Sequence, residues 1–124
     1  MTLRRLLLVV VGGMLGTAAR LGVGLLVPSA GGFPLATLIA NVVGALLISV
    51  LAARLPGSTD ARVFLGTGVL GGFTTYSAFA VGTVELWADE PTTAAVYVLL
   101  TLGLGVAAAF TGLRIGRPRG KGAA

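Results

Sequence analysis

Residues 68–79 read GVLGGFTTYSAF, inside an apolar segment otherwise long enough to cross a bilayer. Two adjacent glycines, two adjacent threonines, a tyrosine and a serine are poor material for a helix in hydrocarbon. Gly71 and Gly72 weaken the helix, and Thr74, Thr75 and Ser77 offer hydroxyls to backbone groups released there. Broken backbone deep in a membrane is tolerated only where protein or a water-filled path covers it. Freed carbonyls at such a break can surround a hard cation such as Na⁺ or Ca²⁺. Beyond it, Tyr76 and Phe79 are three residues apart and share a helix face. An aromatic ring is positive at its edge, so this face can support an anion that finds few other donors. The plainer reading is a glycine-kinked packing helix with its aromatics in the core. The residues alone leave both open.

Three further polar residues interrupt apolar runs. Arg20 follows Gly12 and Gly16 at four-residue spacing, with Gly24 next on the same face. A central arginine costs at least about 2.5–3.5 kcal/mol on insertion scales, so it must face protein or water, or snorkel to the nearer surface. Gly12 and Gly16 form a GxxxG pair that permits close helix approach. Asn41 shares a face with Thr37 and Ala45, with Gly44 beside it. From helical rise, Arg20 and Asn41 lie at similar depth, roughly 10 Å in, and are candidates for one polar cavity. Asn41 equally suits a plain interhelical hydrogen bond. In the last apolar run, Thr101, Gly105 and Ala109 form a small-residue face in which Thr101 is a candidate pore hydroxyl.

The residues that are missing narrow the chemistry. The 124-residue chain has no histidine and no cysteine, which removes the commonest general base and any thiolate metal site. Its four acids, Asp60, Glu85, Asp89 and Glu90, fall in loops or at span ends. No nucleophile–base pair or phosphate-binding loop is present, so the chain is not expected to be an enzyme.

The elements that must position these residues follow from charge placement. A bilayer core about 30 Å thick needs roughly 20 apolar residues in helix. Four uncharged or nearly uncharged segments fit: about 6–27, 35–53, 63–83 and 93–113. Turns fall at Pro28 to Pro34, Pro56-Gly57-Ser58 and Ala88 to Pro91. The expected architecture is one all-α membrane domain over 1–124, with the third of four spans broken at mid-span and a basic tail at 114–124. The start also resembles a cleavable signal peptide, but Arg20 and its glycines have a better use as a polar helix face. Eight of the nine basic residues fall on the side of the two termini, which the positive-inside rule makes cytoplasmic. The tail RIGRPRGK is read as an orientation signal that also touches anionic lipid, not as a nucleic-acid site.

Taken together, GGMLGTAAR (12–20), TLIANVVGALLI (37–48) and GTGVLGGFTTYSAF (66–79) resemble the Fluc fluoride channels, or CrcB family, in order and spacing over nearly the whole chain. The resemblance implies small four-helix subunits that pair antiparallel, with two fluoride pores per dimer. It implies passive export of fluoride across a bacterial plasma membrane, lowering the cytoplasmic concentration. By position, Gly71 and Thr74 match residues whose backbone carbonyls hold a central structural Na⁺. Asn41 matches the asparagine at the inner end of the vestibule. Tyr76 and Phe79 match the aromatics that contact fluoride, Ser77 and Thr101 match hydroxyls on the polar side of the path, and Arg20 matches an arginine near the vestibule.

There are departures. The family commonly has phenylalanine at Tyr76, serine or threonine at Ala78, serine at Ala80 and glutamate at Gly82. The polar track is thinner here. The lopsided basic charge also argues against a subunit that inserts both ways, and for a related partner subunit of opposite orientation. A non-conducting or partner-dependent subunit is the alternative function. A small multidrug exporter would need a membrane-embedded carboxylate, which no span core supplies.

Overall fold

A computed structural model describes residues 1–29 and 31–119; the end of the expected tail, including Lys121, lies outside the described residues. Helix α1 (Leu3–Leu26) starts where Thr2 Oγ1 accepts from Arg5 N at 3.3 Å, an N-cap that satisfies one free amide of the first turn. It ends just before Pro28. The turn that follows uses Gly31 and Gly32 at φ +60° and +81°, a region glycine enters without a Cβ clash. Helix α2 (Leu35–Arg54) then returns, and Pro56-Gly57 closes it.

The third span is compound. Helix α3 covers 60–73: a turn at Asp60–Arg62 capped by Thr59, a π-helical stretch Val63–Leu70, and a last turn Gly71–Phe73. The wide coil shows in the bond from Gly71 N to Gly66 O. Thr74 (φ −81°, ψ 156°) and Thr75 (φ −150°, ψ 113°) are extended. Helix α4 (Tyr76–Asp89) resumes under a cap in which Thr75 Oγ1 accepts from Ala78 N. The interruption therefore falls at the two threonines, while Gly71 and Gly72 stay helical. Helix α5 (Pro91–Gly116) follows after Glu90 alone, with Pro91 in its first turn, where a missing N–H costs nothing. Four stretches, Leu3–Leu26, Leu35–Arg54, Asp60–Asp89 and Pro91–Gly116, are long and apolar enough to cross a membrane. Leu25, Leu99 and Phe110 on their outer faces are well over half exposed, as expected of surface that meets lipid tails.

Packing is by glycine on both sides of the molecule. On α1, a Cβ at Gly12 would meet Phe64 O at 2.7 Å and Gly68 Cα at 2.9 Å, and one at Gly16 would strike Val69 O. On α3, a Cβ at Gly72 would strike Gly13 O. The GxxxG pair thus brings α1 and α3 into backbone contact. Helices α2 and α5 do the same through Gly112 and Gly116, which lie against Leu46 O and Val50 O. This moves the expected small-residue face along α5, since a Cβ at Gly105 would meet nothing within 4 Å.

The ends of the bundle differ in charge. Arg4 and Arg5 reach Asp60 at 2.7 and 3.6 Å, Arg5 also donates to Ser58 O at 2.7 Å, and Arg62 donates to Leu55 O at 2.8 Å. Exposed pairs of this kind contribute about 0–1 kcal/mol. Their importance is placement: they put the start of α1 beside the α2–α3 loop. Glu85, Asp89 and Glu90 lie at the other end, around a hollow of about 240 Å³ with Gly31 and Gly32.

Candidate functional site

The backbone interruption at Thr74 and Thr75 is the centre of the site. Asn41, on α2, clasps it with both ends of its amide: Thr75 N donates to Oδ1 at 2.8 Å, and Nδ2 donates to Thr75 O at 3.0 Å. A side-chain amide has two N–H donors, so one remains beyond this pair. Thr74 is held in its own turn, with N and Oγ1 both donating to Leu70 O at 3.0 and 2.9 Å. Gly44 makes room for it, because a Cβ there would collide with Thr74 Cγ2.

A cleft of about 450 Å³ opens beside this clasp, and Asn41, Gly71, Thr74, Thr75, Tyr76, Phe79 and Thr101 line it with several apolar residues. Six of the eight residues singled out from sequence therefore meet in one place. Tyr76 is 81% exposed on the cleft rim. Its ring is 6.1 Å from that of Phe79, which lies 5.4 Å from Tyr97, which in turn meets Phe33 edge-on at 5.3 Å. Thr101 is buried and its hydroxyl donates to Tyr97 O at 2.8 Å.

Ser77 and Arg20 lie apart from this group. Ser77 is exposed and reaches the site only through Thr75, its Oγ 3.2 Å from Thr75 Oγ1. Arg20 lines a second cleft, of about 430 Å³, with Thr17, Thr37 and Thr75. Its Nε donates to Gly72 O at 3.3 Å, where Thr17 Oγ1 also donates at 3.4 Å. The expected shared cavity of Arg20 and Asn41 is thus two clefts with Thr75 in the wall of both. Equal depth along two helix axes does not fix which way the side chains turn.

Two residues of the site escaped the sequence reading. Thr75 stood out only as one more hydroxyl, although its position just before a resumed helix is an N-cap signal. Tyr97 lies one turn before Thr101 on α5 and is fully buried, its hydroxyl without a hydrogen-bond partner among the described residues. Gly82 is its neighbour: a Cβ there would be 3.9 Å from Tyr97 Cε1. Of the three positions where the polar track is expected to be thin, Gly82 adjoins the Tyr97 ring.

Four membrane-length helices around polar clefts define a multi-pass membrane protein. The profile of a family described as CrcB-like protein, Camphor Resistance (CrcB), matches residues 7–113, and the chain belongs to that family. It is 49% identical over 113 residues to a fluoride-specific ion channel FluC of Paracoccus denitrificans, covering 88% of this chain and 91% of the relative. The Agrobacterium fabrum protein of the same name is 43% identical over 117 residues, covering 89% and 94%. That of a Thermus thermophilus strain is 43% identical over 120 residues, covering 92% and 96%. These relatives are named as ion channels, in line with the expectation that the chain is not an enzyme.

Proposed function

We propose that the protein is a fluoride channel that lets fluoride leave the cytoplasm passively, in the plasma membrane of a bacterium, with both termini inside. One observation carries this: the cleft at the interrupted third span gathers the asparagine, both aromatics and Thr101 in a wall that is otherwise apolar. Such a wall strips water from an anion and replaces it with few, weak, successive partners, which permits entry without trapping. Arg20 adds positive potential from its own cleft on the other side of Thr75; in the larger cleft the second Asn41 N–H receives the ion, and the ring edges of Tyr76 and Phe79 guide it on. The names of the relatives support fluoride as that anion. The test is fluoride efflux from liposomes. The chain is expected to release trapped fluoride, and Phe79→Ile to cut the rate at least about tenfold by removing a ring edge. Efflux equal to that of the native chain would remove Phe79 from the path.

The channel is read as an antiparallel dimer, with the interruption at mid-span meeting its counterpart on the two-fold axis. A structural Na⁺, held there by the carbonyls of Gly71 and Thr74, supplies fixed positive charge that makes the surroundings more hospitable to an anion. The donor set fits a hard cation. The N–H groups of Thr75 and Ala78, the helical partners of these two carbonyls, bond to Asn41 Oδ1 and Thr75 Oγ1 instead. Exchange of Na⁺ for N-methylglucamine during purification is expected to shift the protein from dimer to monomer on size exclusion. A dimer indifferent to the exchange counts against the site.

In the membrane the partner is read as a related subunit of opposite orientation, while copies of this chain purified in detergent, where insertion no longer fixes orientation, are read as pairing antiparallel with one another. Arg4, Arg5, Arg54, Arg62, Arg114, Arg117 and Arg119 fall on one side of the four spans, whereas Glu85, Asp89 and Glu90 fall on the other. A charge bias this strong sets a single topology. The chain has no cysteine of its own, so single cysteines in loops 28–34 and 84–92 report orientation cleanly. Labelling from the outside alone is expected; equal labelling from both sides would remove the one-way topology.

A further inference from the structure

In an unbroken α-helix the Gly71 carbonyl accepts from the N–H of residue 75, and the Thr74 carbonyl from that of residue 78. Both donors are diverted here by side chains. Asn41 Oδ1 takes Thr75 N at 2.8 Å, and Thr75 Oγ1 takes Ala78 N at 3.1 Å. The nearby Gly72 carbonyl is treated differently, since Arg20 Nε and Thr17 Oγ1 cover it at 3.3 and 3.4 Å. Gly71 and Thr74 both line the 450 Å³ cleft. Carbonyls deprived of their helical donors within a membrane are costly unless something else meets them.

We propose that Asn41 and Thr75 are positioning residues for the cation. By capturing two backbone N–H groups, their side-chain oxygens turn two ordinary helix carbonyls into cation ligands. This rests on the reading of Gly71 and Thr74 as a Na⁺ site, and it adds what creates that site. It also ties the site to the anion path, because one amide serves both: Asn41 Oδ1 sets up the carbonyl of Gly71 while its remaining N–H faces the ion in transit. Thr75 has no part in that reading of the path. Its role here needs only a hydroxyl oxygen, within reach of Ala78 N.

The experiment is thermal unfolding of the purified protein in detergent, with sodium chloride varied against N-methylglucamine chloride at constant ionic strength. The readout is the sodium concentration that gives half the maximal rise in Tm, which does not depend on conduction. Asn41→Leu and Thr75→Val remove the capturing oxygens at similar volume. Each is expected to need at least about tenfold more sodium, since a carbonyl returned to its helix N–H is a lost charge-assisted ligand. Thr75→Ser keeps the capturing oxygen and is expected to titrate at or below the native concentration. Leu and Val variants that titrate like the native chain would overturn the proposal. So would a Ser variant that no longer responds, which keeps the test decisive where the larger changes fail to assemble. A native chain indifferent to sodium removes the cation site itself, and the present proposal with it. A responsive native chain whose Leu and Val variants titrate as it does removes this proposal alone.

Discussion

Liposomes carrying Asn41→Asp are expected to lose fluoride efflux by at least about a hundredfold while the protein still assembles. Two unit charges about 4 Å apart repel by about 4 kcal/mol at an effective dielectric constant of 20, and each 1.4 kcal/mol is tenfold. Screening by nearby water lowers that figure, hence the more modest bound. The substitution keeps an oxygen for Thr75 N, whose bond to Oδ1 is 2.8 Å in the native chain. It replaces the donor that meets Thr75 O at 3.0 Å by an oxygen that repels that carbonyl, and it removes the second amide N–H of a residue that lines the cleft. The damage is therefore electrostatic, at the path and at Thr75 O, while the bond from Thr75 N is retained. The comparison is efflux against size-exclusion profile for the same preparation. Native efflux from an assembled Asn41→Asp protein would take Asn41 out of the path.

Gly16→Leu is the second large effect, and it concerns folding. A single Cβ at Gly16 already collides with Val69 O and comes within 2.8 Å of Phe73 N. Both are backbone atoms, so no side chain can swing aside to make room. Overpacking in a core costs about 1–3 kcal/mol where neighbours yield, and here they cannot. We expect the variant to give little or no folded protein on size exclusion in detergent. Gly105→Leu is the control, since a Cβ there has open space. Normal assembly of Gly16→Leu would mean that α1 and α3 are not in backbone contact.

Much of this architecture is legible in the chain. Spacing of charge locates four spans to within two helical turns, and GxxxG at Gly12 and Gly16 marks a close helix contact that the structure contains. The same rule applied to Gly105 misplaces the contact on α5, because helical periodicity gives a face but not where along it two crossing helices touch. The glycine pair 71–72 draws attention to the right dozen residues but not to the right two. Propensity predicts where a helix is weak; where it parts depends on what can replace its hydrogen bonds. Here that is Asn41, 34 residues away from Thr75 in the chain. The π-helical coil of Val63–Leu70 leaves no sign in composition, since its glycines fit an ordinary helix equally well.

The distribution of helix contacts has a mechanical consequence. The first half of the third span packs mainly on α1, and the second half mainly on α5, which also holds α2. The subunit is thus two stacked slabs, α1 with α3 and α2 with α4 and α5, joined by the loops after α1 and α2 and, within the spans, by Thr74 and Thr75. Shear of one slab against the other bends those two peptides as well as the loops, and it pulls on the Asn41 amide that bonds across to Thr75. The 450 Å³ cleft beside the clasp would then widen or narrow without either slab having to repack inside.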